Sequence, residues 1–344
     1  MQEGKVNLFG KSFTISQLKE YVADISAVGG VRPYTLLEGS QRGVLAVDVW
    51  TGSGLEYTVV PDRGMNICNF RYGGIGLDWS SPTGLTSPFM YEAQRWRWMR
   101  SFNGGLLHTC GLDNVGEPCV DGDESYGGHG RISNTPATQV SWKTDTENEP
   151  YAIDVAGKCR LVSLPEENLL MERKITSEIA GKRIVINDRI QNLGFNKTPI
   201  FLLYHCNFGF PLICEDTKLT IPAKKAVDRA GTEVTDFKRI EPPSDSPDEQ
   251  VLYPVMDGDS VEISLYNPKL QENGLGVYMK YDRAELPHLT IWKFFQKRSY
   301  VLAIEPGTCR VEGRVTEKKQ GRAIFLEPDE SLSVTLEIGV LVNR

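Results

Sequence analysis

The chain has 344 residues, with 38 basic and 45 acidic side chains and a net charge of -7. That length suits two ordinary domains or one large β architecture, and a core of this size needs no disulfide or metal to hold it. The negative balance, without any long Lys/Arg block, argues against nucleic acid as a partner. No apolar run approaches membrane length, so no membrane partner is expected either. Seven cysteines are an odd number without a close CxxC pair, and they read as free thiols of a reducing compartment. The opening Met1-Gln2-Glu3-Gly4-Lys5 lacks the basic-then-apolar pattern of a secretory leader, and the expected location is cytoplasmic.

In chain order, Ser16 to Val28 reads as the one good helix. Leu18, Tyr21, Val22 and Ile25 fall at helical spacing, Ser16 stands at the start, and Gly29-Gly30 ends it. The pattern then becomes β. Val44 to Trp50 and Leu55 to Val60 alternate across Gly52-Ser53-Gly54 as a hairpin, leading into Pro61-Asp62-Arg63-Gly64-Met65. Gly73 to Asn134 is irregular, rich in Gly, Trp, Pro and Ser, with a short helix expected over Ser87 to Met99. An irregular stretch this long inside a compact domain usually carries function.

Past Pro136 short alternating runs recur to the end, punctuated by turns, with a polar surface loop at Pro242 to Asp248. Many short strands with almost no helix predict an antiparallel all-β protein of two large packed sheets. The expected division is an N-terminal extension with the helix at 1–34 and one β domain at 35–344.

Two apolar runs end on an ionisable residue beside Gly or Pro. They are Leu202-Leu203-Tyr204-His205-Cys206-Asn207-Phe208-Gly209 and Tyr300-Val301-Leu302-Ala303-Ile304-Glu305-Pro306-Gly307. Taken singly, His205 reads as a buried, hydrogen-bonded histidine and Glu305 as a solvated one. Together, at strand ends, they are placed to be an acid and a base. Of the four histidines, His129 stands in Gly127-Gly128-His129-Gly130-Arg131, which leaves space for a ligand or simply makes a turn. His108, Cys110, Cys119 and His129 have zinc-ligand chemistry, but their spacing fits no common zinc module, and no metal is expected. Asp62-Arg63-Gly64 reads equally as a turn with a surface ion pair. There is no serine-nucleophile elbow, phosphate-binding loop or dinucleotide fingerprint, so no cofactor is expected.

The order Pro61-Asp62-Arg63-Gly64-Met65, Gly104-Gly105-Leu106-Leu107-x-Thr109-Cys110-Gly111-Leu112, Gly128-His129-Gly130, Tyr204-His205-x-Asn207-Phe208-Gly209 and Ile304-Glu305-Pro306 resembles the aldose 1-epimerase-like (galactose mutarotase-like) proteins. It is most similar to their branch described only as a domain of unknown function, and the likeness spans about residues 35 to 342. The resemblance implies a β-supersandwich with a sugar held on one sheet. It implies Glu305 as the base at the anomeric hydroxyl, His205 as the acid at the ring oxygen, and His129 at a sugar hydroxyl. It departs from the family where His108-Thr109 replaces an Asn-Arg pair. Arg63 or Arg100 would then supply the missing arginine, and no counterpart of the family's sugar-binding Asp is evident.

Opening a cyclic hemiacetal needs one base and one acid and no redox cofactor, which suits these residues. Trp79, Trp96, Trp98 and Trp292 are candidate faces for a pyranose. Arg131 and Lys293, near the motifs, are candidate contacts for an anionic substituent. The expected partner is a small carbohydrate, free or derivatised. The rival readings are a non-catalytic sugar binder, and a glycosidase pairing Glu305 with Asp62.

Overall fold

The computed structural model describes residues 4–164, 167–246 and 248–342. Met1–Glu3 and Pro247, on which the leader and surface-loop readings partly rest, lie outside them. The described residues form a nearly all-β supersandwich. One eight-stranded sheet runs, edge to edge, through Thr138–Thr144, Ala152–Val162, Asn168–Glu178, Arg183–Asn192, Ser331–Val342, Leu275–Asp282, Ser260–Asn267 and Lys218–Thr220. The second runs through Glu233–Val234, Ala223–Asp228, Gln250–Met256, His288–Gln296, Ser299–Gly307 and Thr198–Gly209. The far edge of Thr198–Gly209 is shared by His108–Leu112 and Ile324–Leu326. A five-stranded sheet from Gly30–Thr35 to Ile75–Gly76 adds a third element that the sequence reading had not separated. The expected hairpin is part of it, with Val47 opposite Val59 and Val49 opposite Tyr57. A boundary at residue 34/35 falls inside the strand Gly30–Thr35.

Period-two burial builds the core. Along Ala152–Val162, Ile153, Val155, Cys159 and Leu161 are buried while their neighbours are less so. The strand Thr198–Gly209 is different, with all 12 residues buried. Its Leu202, Tyr204, Cys206 and Phe208 enter the main core. The alternate residues, His205 among them, face the other way. A strand covered on both faces reads as one continuous apolar run, and the polar residues that interrupt it therefore stand out.

Two helix expectations are corrected. The N-terminal helix spans only Ile15–Lys19, with Thr14 rather than Ser16 as its cap. The Asp24 carboxylate accepts the Ser26 amide and starts a separate 3-10 turn at Ile25–Ala27, which prevents one continuous helix. Ser87 to Met99 likewise holds only the turn Pro88–Met90 and the start of Arg97–Arg100, and between them Arg95 takes a left-handed conformation at φ 50°. All seven cysteines are free thiols. Five are buried, and Cys119 and Cys214 are half-buried. Among the described residues no helix is long and apolar enough to cross a membrane.

Candidate active site

Strand register assembles the site. Cys206 pairs with Ile304 and Asn207 with Ala303, which sets His205 beside Glu305. On its other side Glu305 faces Thr290, while His205 faces His108 across its own far edge. His108, His205, Glu305 and Thr290 thus form one row across four adjacent strands. All four are buried.

In front of this row lies a cavity of about 1070 Å³, lined by His205, Glu305, Thr290, His129 and a wall of aromatic rings. That is at the upper end of small-molecule sites. Trp292 and Phe294 project from the same face of their strand and stack with their planes 7° apart. Phe102, from the irregular segment, packs edge-on against His205 with centroids 5.1 Å apart.

His205 Nε2 stands 3.2 Å from Glu305 Oε1. The two are close, yet Oε1 has no hydrogen-bond partner among the described residues. His205 Nδ1, His129 Nδ1 and Thr290 Oγ1 are also without partners there. Native proteins rarely bury several unsatisfied polar atoms together unless something else satisfies them. The four residues line one cavity, and hydroxyl groups of a ligand are chemistry that suits such atoms.

Burial governs the protonation states. It raises the Glu305 carboxyl well above its ordinary value, against a weaker opposing pull from the Arg229 charge. It lowers His205 to about 3 and His129 well below the usual imidazole range, the latter aided by His205 and Arg229. Burial thus favours the uncharged form of each member of the pair.

His129 is set by backbone geometry. It is left-handed at φ 57°, its N–H donates to Gly116 O, and its carbonyl accepts from Gly111 N. A Cβ on Gly128 would sit 2.7 Å from the Trp96 ring and 2.9 Å from Trp98, so only glycine lets both indoles close against this turn. The His129 ring then packs 4.7 Å from Trp98 and 5.7 Å from His205, centroid to centroid.

The structure brings His205, Glu305, His129 and Trp292 to the cavity but places six other candidates elsewhere. Arg63 is fully buried. Its Nε donates to Ser133 O at 2.9 Å, Nη1 to Thr86 O at 3.0 Å, and Nη2 to Ser101 O at 2.7 Å. It is a clamp on the irregular segment, with its donors spent on backbone. Asp62 accepts the Leu45 amide at 2.8 Å and does not line the cavity, which removes it as the second carboxylate of a glycosidase pair.

Arg131 is held by Asp113, Nε to Oδ2 at 2.9 Å, and supports the His129 turn from behind. Lys293 follows Trp292 on a strand and so faces the opposite side, where Nζ donates to Arg239 O at 2.9 Å; burial lowers it to about 8. His108 belongs to the row but is roofed by Phe102 and Trp98, with ring centroids 4.9 and 5.6 Å away, and does not reach the cavity. Arg100 pairs at the surface with Glu92.

The cavity's arginine is Arg229, which the sequence reading missed. It follows the strand Ala223–Asp228 and ion-pairs with Glu117, itself a lining residue, with Glu312 a further 3.8 Å contact. No motif marks it. Thr290 was missed too, although its period-two relation to Trp292 and Phe294 placed all three on one face. Among the described residues no group of three or more His, Cys, Asp or Glu side chains is arranged to hold a metal ion.

The fold is the one shared by galactose mutarotase-like proteins. A protein of Klebsiella pneumoniae that carries the provisional name aldose 1-epimerase superimposes with a TM-score of 0.83 at 25% identity, covering 91% of this chain and 83% of that one. A galactose mutarotase-like protein from Clostridium acetobutylicum gives 0.64 at 15% identity, covering 92% and 99%. Galactose 1-epimerase from Lactobacillus acidophilus gives 0.60 at 14%, covering 92% and 100%. The chain belongs to the family described as domain of unknown function DUF4432, whose model matches residues 41–340. No curated protein matches it.

Proposed function

We propose that this protein interconverts the anomers of a sugar by acid–base catalysis, with Glu305 and His205 as the reacting pair. The observation that carries the reading is their juxtaposition: two titratable side chains 3.2 Å apart, buried, in register on adjacent strands, and open to a cavity lined with aromatic rings. Glu305 takes the proton from the anomeric O1 as the C1–O1 bond becomes a carbonyl. The C1–O5 bond breaks, and its electron pair takes a proton from His205. Rotation about C1–C2 presents the other carbonyl face, and the same two transfers run in reverse. Atoms and charge balance without a cofactor.

The reactive pair, carboxylate and imidazolium, is a tautomer of the uncharged pair that burial favours, separated from it by one proton over a short distance. Both forms carry the same net charge, so a ligand shifts between them without exchanging protons with solvent. Hydroxyl donors to the carboxylate and the Arg229 charge favour the ionised tautomer. The aromatic wall, led by Trp292 and Trp98, offers faces to the apolar side of a pyranose, and His129 Nδ1 meets one of its hydroxyls.

The test is anomer exchange of a small panel of aldoses, acidic sugars and sugar phosphates, followed by polarimetry or anomer-resolved NMR in dilute buffer. The expected result is accelerated exchange for at least one of them. A protein that binds a sugar and leaves its exchange rate unchanged is a binding module, with Glu305 a mere hydroxyl acceptor.

A further inference from the structure

We propose that Thr290 is a positioning residue for the ligand hydroxyl next to the anomeric one, so that His205, Glu305 and Thr290 meet ring O5, O1 and O2 in that order. This rests on the anomer-exchange reading of the same site. Glu305 sits on the central strand of three, with His205 on one neighbour and Thr290 on the other. Adjacent strands lie about 4.8 Å apart, and residues in register project side by side. In a pyranose C1 carries both O5 and O1, and C2 carries O2. With O1 at Glu305 and O5 toward His205, the next oxygen along the ring falls on the Thr290 side of the row.

A second observation supports this. Thr290 is 1 % exposed, lines the cavity, and its Oγ1 has no partner among the described residues. A buried hydroxyl without a partner weakens the folded state. It makes no hydrogen bond to Glu305, so it is not there to hold the carboxyl. Valine would fill the same space without that cost. Thr290 shares the Glu305 face of the sheet, so a ligand oxygen drawn against Glu305 is the nearest partner for this hydroxyl, and threonine can either donate to a sugar oxygen or accept from it.

The experiment pairs two variants with two sugars. Thr290→Val removes the hydroxyl and keeps the shape, while Thr290→Ser keeps the hydroxyl. Each is assayed for exchange on D-glucose or D-galactose, whichever is turned over faster, and on its 2-deoxy analogue. Thr290→Val should lower kcat/KM on the parent sugar by roughly ten- to a hundredfold, the loss expected for a buried hydrogen bond, and by less than about twofold on the 2-deoxy sugar. Thr290→Ser should recover most of the activity. Thr290→Val should also unfold at no lower denaturant concentration than the wild type, which a purely structural threonine would not allow. Equal losses on both sugars, or none on either, would overturn the assignment. A wild type that binds these sugars without accelerating exchange contradicts the catalytic reading alone. The same four pairings, read as dissociation constants by NMR titration, then decide the Thr290 contact.

Discussion

Arg229 and Glu117, which are 112 residues apart in sequence, form an ion pair at the cavity, joining the loop after Ala223–Asp228 to the irregular segment. The pairing places one positive charge where it lowers the Glu305 pKa against burial and depresses His129.

Removing that charge should therefore move the site's titration in one direction. A pair sharing a single proton is active between the pH at which it gains a second proton and the pH at which it loses the last one. Both limits rise when a nearby cation is deleted. Arg229→Gln should shift the alkaline limb of the kcat/KM–pH profile upward relative to wild type. An unchanged or downward-shifted limb would show that Arg229 does not act on Glu305.

The same buried carboxyl leaves a signature in stability. The folded Glu305 pKa lies above its ordinary value near 4.5, so the folded protein keeps a proton that the unfolded chain releases. Wild-type stability relative to Glu305→Gln should then fall as pH rises from about 4.5, by up to about 1.4 kcal/mol per pH unit, until Glu305 ionises in the folded state. Denaturant unfolding of both proteins across that range measures it. A difference independent of pH would mean that Glu305 is not desolvated.

Arg63 separates clamp from ligand contact. Its guanidinium holds Thr86, Ser101 and Ser133, three points of the segment that carries Trp98, Phe102 and His129. Arg63→Lys cannot reproduce the planar fork and leaves buried carbonyls unpaired, at a cost of about 2–4 kcal/mol in unfolding free energy. If it costs nothing in stability but abolishes sugar binding, Arg63 belongs to the site after all.

These residues also show what the sequence carried. The runs ending at His205 and Glu305 were legible because two strands buried on both faces leave few polar residues, and each was stopped by Gly or Pro. Trp292 and Lys293 were read together as contacts, although strand periodicity alone puts them on opposite faces. Arg63 and Arg131 are near the motifs in sequence, and nearness says nothing about which way a guanidinium turns. Arg229 lies in an ordinary charged loop, and its place at the cavity comes from strand pairing across the sheet. The helix over Ser16 to Val28 failed because the local Asp24 cap outcompeted helical spacing.

The claim that Glu305 and His205 move protons is tested most directly by Glu305→Gln on whichever sugar the wild type turns over. Glutamine keeps the size and a hydrogen-bonding group but cannot accept the O1 proton. Sugar affinity, measured by NMR titration, should stay within a few-fold of wild type, while the exchange rate should fall by roughly a hundred- to ten-thousand-fold. His205→Asn should act alike, and the double variant should lose little more than either single one, because the two side chains act as a unit. Glu305→Gln that binds sugar and still exchanges its anomers at the wild-type rate would contradict the account.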